Sequence, residues 1–206
     1  MQALDTQTSI EVNFSPLSRR YTLEEFWALP EREDHARYNL IGGFLFMVPP
    51  PNPPHQDIAS RMNRLLLRFV DGNNVEGDVY FPPAPIYVRA EGSTYLEPDL
   101  MYVSRESQEK MGTAFTSADI VFEFSSRRTI VYDHTTKADT YLALGVRELW
   151  LVNPFSASIE VRRAGKIGEK LVWHVSKYLR GDHAQSRVLE GFEVSVTELF
   201  AGLVAE

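Results

Sequence analysis

The apolar and polar positions along the chain change period several times, and each change marks an element. The run "YTLEEFW" from Tyr21 predicts a short helix. Thr22 stands at an N-cap with Glu25 three residues on, and Tyr21 and Phe26 are spaced for a hydrophobic staple. Pro30 ends it. "YNLIGGFLFMV" (38–48) predicts a strand pair or bent strand, with Gly42-Gly43 as turn or bulge. "PPPNPP" (49–54) is closed to helix and to ladder, so an extended loop is expected there. Asn52 is placed to cap the next helix, with Pro53 at its first position. Beyond it Ile58, Met62, Leu65, Leu66 and Phe69 recur at helical spacing and predict a core face, with Arg61, Arg64 and Arg68 as a second stripe.

Turn chemistry fills 71–78. Two β-rich runs, "VYFPPAPIYVRA" and "TYLEPDLMYV", are separated by "EGS", a hairpin signal. "ADIVFEFSS" (118–126) predicts a buried strand with one charge inside it. "YDHTTKADTYLALG" predicts a helix stopped by Gly145, and "VRELWLVNP" a strand ending at Pro154. "SIEVRRAGKIGEKLVWHVS" predicts a hairpin and "TELF" a short terminal helix. The order predicts an α/β or α+β domain around a mixed sheet. Residues 1–20, polar and aperiodic, are expected to form a flexible arm before a single domain over 21–206.

Composition narrows the chemistry. A chain of 206 residues can bury a core without staples. Having no cysteine, it excludes disulfides, thiolate zinc sites and cysteine nucleophiles, which fits a reducing cytoplasm. The N-terminus lacks a basic start followed by an apolar run, so no secretory signal is expected. No segment reaches 18 uninterrupted apolar residues, so no membrane span is expected. The net charge of −7 argues against a general nucleic-acid binder but leaves room for a local basic groove. No Walker loop or dinucleotide fingerprint is present.

Three charges stand out by position. Asp99 reads as part of a strand, on the same face as Glu97 two residues earlier. Glu123 is flanked by Ile120, Val121, Phe122 and Phe124. Carboxylates in apolar strands are costly to ionise without a partner, and two together repel unless a cation or lysine relieves them. Lys137, in the helix after the Glu123 strand, can lean back over the strand's end. Two carboxylates, a lysine and a strand carbonyl describe a site for a hard cation such as Mg²⁺ or Mn²⁺. Such an ion activates water and stabilises a phosphoryl oxygen, so the reaction class is phosphodiester hydrolysis. Plainer readings exist for each residue. Asp99 and Glu97 could cap a strand end near Pro98, Glu123 could pair with Arg127 or Arg128, and Asp133–Lys137 could be an ordinary exposed helix pair. Tyr141, one turn further on, is either a hydroxyl at the site's edge or core. The arginine stripe of the second helix reads first as a solvated face, and Arg127 and Arg128 are better placed for phosphate.

Read in order, "PPPNPPH", "EPDL", "VFEFSS" and "DHTTKADTYLALGVRELWLVNP" resemble the Uma2 family, also called DUF820, over about Tyr21 to Phe200. That family resembles the PD-(D/E)XK nucleases. The resemblance implies a restriction-endonuclease-like α/β core, with a mixed central sheet flanked by helices. It implies Asp99 and Glu123 as metal ligands, Lys137 as the motif's lysine and His55 as a histidine common after the proline loop. In the wider motif the lysine stands two residues after the second acid, where this chain has Ser125. The chain departs from the family at "YNLIGGFL": Asn39, Gly42 and Phe44 stand where acids are common.

The expected function is a Mg²⁺- or Mn²⁺-dependent DNA endonuclease, with the Phe124 carbonyl as a third ligand. A homodimer would suit the cutting of both strands. Two other readings remain: a nuclease-like binding or assembly module without catalysis, and a phosphoesterase acting on RNA or nucleotides.

Overall fold

A six-stranded sheet forms the centre of the computed structural model, which describes residues 19–31, 33, 36–50, 53–89, 93–126 and 129–203. The elements in chain order are α1 (Leu23–Trp27), β1 (Arg37–Ile41), β2 (Phe44–Val48), α2 (Pro53–Gly72), β3 (Gly77–Tyr80), β4 (Ile86–Val88), β5 (Thr94–Leu96) and β6 (Leu100–Ser104). Then come α3 (Arg105–Met111), β7 (Ile120–Phe124), α4 (Ile130–Tyr132), a π-helical turn (Asp133–Lys137), α5 (Ala138–Ala143) and β8 (Glu148–Asn153). The chain closes with β9 (Ser158–Ile167), β10 (Lys170–Tyr178), β11 (His183–Gln185), β12 (Glu193–Ser195) and α6 (Val196–Leu199).

The central sheet runs β10-β9-β8-β7-β6-β3, and a second sheet runs β2-β1-β5-β4. Strands β7 and β8 are parallel, while β6 pairs with β7 antiparallel. A parallel pair needs a crossover connection, and α4, the π turn and α5 supply it. Side-chain alternation along β7 then divides the core. Ile120, Phe122 and Phe124 face α2, packing with Ile58, Met62, Leu66 and Val70. Val121 faces the crossover, packing with Ala138, Tyr141 and Leu151. Both faces are covered, so all five β7 residues are buried, Glu123 among them. Each apolar side chain so buried contributes about 1.5–3 kcal/mol.

Several expected local features are present. Thr22 and Glu25 form the reciprocal capping box of α1. Tyr21 is buried in a small cluster against which Phe26 packs. Gly42 and Gly43, both at positive φ (58° and 84°), make the two-residue turn of the β1–β2 hairpin. Gly145, at φ 86°, follows the crossover helix as expected. Asn52 and the first eighteen residues lie outside the described residues.

Two expectations need correction, and one helix was not expected. "TYLEPDLMYV" is not one strand: β5 belongs to the small sheet and β6 to the large one, with Glu97-Pro98-Asp99 as the corner between them. In α2 the buried stripe is Ile58, Met62, Leu66 and Val70; Leu65 is exposed and Phe69 half-buried. Those four recur every fourth residue, and Leu65 falls beside that line. Helix α3 had no apolar periodicity to announce it and has no buried residue; the Ser104 side chain starts it by accepting from the Ser107 amide.

Candidate active site

The corner before β6 places the first carboxylate. Pro98 has no amide hydrogen to give a ladder, and β6–β7 pairing stops at Leu100–Phe122. Asp99, one residue before the strand, turns its side chain to the neighbouring strand's end. Its Oδ2 accepts from the Phe124 amide at 2.9 Å and lies 3.1 Å from His55 Nε2. His55 comes from the first turn of α2 and meets the Phe124 ring edge-on at 5.7 Å between centroids. The sequence's reading of Asp99 as a strand residue is thus replaced by a corner residue tied to strand and helix.

Glu123 is 2% exposed and bound through both oxygens. Lys137 Nζ donates to Oε2 at 2.6 Å, and Tyr141 OH donates to Oε1 at 2.6 Å. Lys137 is itself 4% exposed, so the expectation of an ordinary exposed Asp133–Lys137 pair is overturned. Asp133 (5% exposed) and Lys137 are the first and last residues of the π-helical turn, and both are buried there. Tyr141, one turn after Lys137 and 0% exposed, is both core and site.

A second layer joins this cluster. Asn39 Nδ2 of β1 donates to Tyr132 OH at 3.1 Å, and the Tyr132 ring stacks on Phe46 of β2 at 5.1 Å. Asn39 is buried. Tyr132 and the burial of Asp133 escaped the sequence reading. The available signal was the line Asp133, Lys137, Tyr141, a charged and aromatic stripe at four-residue steps.

Burial governs the electrostatics. It pushes the Glu123 carboxyl up to about 8; Lys137 pulls against it, and Asp99 and Asp133 push the same way as burial. Burial also raises Asp133, against Lys137 and a Thr129 hydrogen bond. For Asp99 burial works upward, but the bond to His55, the charge of Lys137 and the Phe124 amide outweigh it and hold the carboxyl low. Burial opposes the charge on Lys137, yet Glu123, Asp133 and Asp99 outweigh it and hold the ammonium firmly protonated. Burial takes the Tyr132 phenol up to about 12. Two buried acids, Glu123 and Asp133, and the partly exposed Asp99 thus act on one lysine.

Among the described residues no three His, Cys, Asp or Glu side chains converge as a ready-made metal cage. The donor set nonetheless fits a hard cation that keeps most of its waters. Mg²⁺ binds through one or two carboxylates, and Asp99 and Glu123 are the residues that could supply them.

The remaining candidates fall elsewhere. Glu97 pairs with Arg37 and accepts from Tyr95 OH at 3.1 Å, a structural tie between β1 and β5. Arg61 donates to the Leu199 and Ala201 carbonyls, pinning α2 to the C-terminal segment. Arg64 and Arg68 are exposed. Arg127 and Arg128 lie outside the described residues. No helix among the described residues is long and apolar enough to cross a membrane.

The architecture is that of a nuclease-fold protein. Among solved structures the chain is similar to a "putative nuclease belonging to DUF820" from Anabaena variabilis, with a TM-score of 0.68 and 19% identity, covering 87% of this chain and 97% of that one. At that identity the likeness is one of fold. The family model Uma2, described as "Putative restriction endonuclease", matches residues 23–197, and the chain belongs to that family. Comparison with curated proteins gives no match.

Proposed function

We propose that the chain is a metal-dependent endonuclease hydrolysing phosphodiester bonds in DNA. The observation that supports this most is the grouping of buried Glu123 and Lys137 with Asp99 in one cluster inside the span that matches Uma2. In this reading Asp99 and Glu123 hold Mg²⁺ or Mn²⁺, with the Phe124 carbonyl as a third ligand. His55 and the Phe124 amide grip Asp99 through Oδ2 alone, fixing the carboxylate and leaving Oδ1 for the cation. When bound, the cation supplies a more acidic water and a counter-charge for the phosphoryl oxygen. Lys137 pulls Glu123 toward its ionised form against burial, steers the attacking water and offsets charge that builds up during attack. Tyr141 fixes the other Glu123 oxygen, so the carboxylate is oriented before the cation arrives. A homodimer, with one site for each strand, and a cytoplasmic location belong to the same reading.

The test is nicking and linearisation of supercoiled plasmid in Mg²⁺ or Mn²⁺ by the wild type, Glu123→Gln and Lys137→Ala. Cleavage by the wild type that both variants lose is expected. Equal cleavage by all three would remove the assignment.

A specific observation favours a second reading, a nuclease-fold binding module without catalysis. Both Glu123 oxygens are already engaged, and Asn39, where the resemblance implies an acid, is tied to Tyr132. Calorimetric titration with Mg²⁺ and Mn²⁺ separates the two. Millimolar or tighter binding that disappears in Asp99→Asn speaks for the enzyme.

A further inference from the structure

Ser125 follows β7 and continues its extended path: its amide donates to the Val152 carbonyl at 2.9 Å, carrying the parallel β7–β8 pairing one step on. Alternation places its side chain on the face that carries Glu123, two residues away, or roughly 6.6 Å along the strand. The residue is 1% exposed. Among the described residues its hydroxyl has no hydrogen-bond partner. This is unlike its neighbours. Ser126 trades hydrogen bonds with Thr129, and Glu123 has a donor on each oxygen. A buried hydroxyl without a partner costs about 1–3 kcal/mol, and proteins keep such groups where a ligand or bound water completes them.

We propose that Ser125 is a positioning residue whose Oγ holds a water in the hydration shell of the cation carried by Asp99 and Glu123. The inference rests on the metal-site reading above and adds a residue to it. The placement supports the role: two residues apart on one strand face, Ser125 and Glu123 border the same space, and the short serine side chain suits contact through one intervening water. The chemistry also supports it, since Mg²⁺ and Mn²⁺ sites with few protein ligands depend on groups that orient their waters. The hydroxyl can accept from that water, and the acidic surroundings give it few other donors.

The test uses Ser125→Ala and two measurements on the whole chain: thermal unfolding of the metal-free protein and Mn²⁺ affinity by calorimetry. A group that waits for a hydrated ion is dispensable without it. The metal-free variant should therefore melt at or above the wild-type temperature, while Mn²⁺ affinity falls about tenfold, the lower end of the usual outer-shell effect. A variant that binds Mn²⁺ as the wild type does overturns the proposal and leaves the metal site standing, and so does one whose main effect is a lower metal-free melting temperature. If the wild type binds no Mn²⁺, the metal-site reading fails and Ser125 falls with it.

Discussion

Lys137→Met puts the electrostatic account of the cluster at risk. The ammonium lies 2.6 Å from Glu123 Oε2, and both side chains are within 5% of full burial. Removing it leaves Glu123 with the Tyr141 hydroxyl alone and strips Asp133 and Asp99 of their nearest lysine. Breaking a buried pair by deleting one partner costs about 3–5 kcal/mol. In a chain of this size each kcal/mol moves the melting temperature by about 2–4 °C, so a drop of roughly 6–20 °C follows. The loss must depend on pH. Glu123 is raised in the folded protein, so its contribution to stability is full below the ordinary carboxylate range and is lost as pH rises through about 8. Without Lys137, which pulls it down, the carboxyl moves higher still. Below pH 8 wild type and variant both carry the proton, and the gap between them is the smaller part. Above pH 8 the wild type ionises Glu123 beside its lysine, while the variant must bury a bare charge or keep the proton, and the gap widens. The assay is thermal and urea unfolding at pH 7 and pH 9, with Glu123→Gln/Lys137→Met as companion. The double variant should recover most of the loss at pH 9, because it no longer holds an unpaired carboxylate. A gap that is equal at both pH values, or a double variant worse than the single one, would refute the reasoning.

Other outcomes follow from the same structure. Tyr141→Phe deletes the 2.6 Å hydrogen bond to Glu123 and should cost about 1.5–3 kcal/mol in chemical unfolding at pH 9, where Glu123 is ionised, the range for bonds to charged groups; a loss under about 0.5 kcal/mol would deny the contact. Mn²⁺ affinity should rise about tenfold per pH unit from pH 6 to pH 8 and level off above, since the cation displaces the Glu123 proton, and a flat calorimetric profile would show that no proton leaves. In α2, Leu66→Ala should cost about 2–5 kcal/mol and Leu65→Ala within about 0.5, because only Leu66 is buried; similar costs for both would return the helix face to its sequence reading.

Features set by neighbouring residues were legible in the sequence. The α1 capping box needs only Thr22 and Glu25, and the β1–β2 turn only two glycines able to take positive φ. The presence of α2 showed in its periodicity, but its rotation did not, because Leu65 and Leu66 carry the same hydrophobic signal and only packing against β7 tells them apart. The residues named for the site were found by their anomaly, carboxylates amid apolar runs, and by family resemblance. Their partners were hidden for a physical reason. The Lys137–Glu123 and Tyr141–Glu123 contacts depend on the crossover between β7 and β8, which brings residues 14 and 18 positions apart together, and Asp133 is buried on a π turn within that crossover. The corner at Glu97-Pro98-Asp99 was not read from the sequence, because its cause lies in two sheets whose separation appears only in three dimensions.

The central claim is that Asp99 and Glu123 together hold a divalent cation. Anomalous scattering from crystals of the protein soaked in Mn²⁺ tests it most directly. The account predicts a peak between the two carboxylates, within roughly 2.5 Å of an oxygen of each, with waters filling the remaining positions. No peak there at saturating Mn²⁺, with Lys137 and Tyr141 still closed on Glu123, would contradict it.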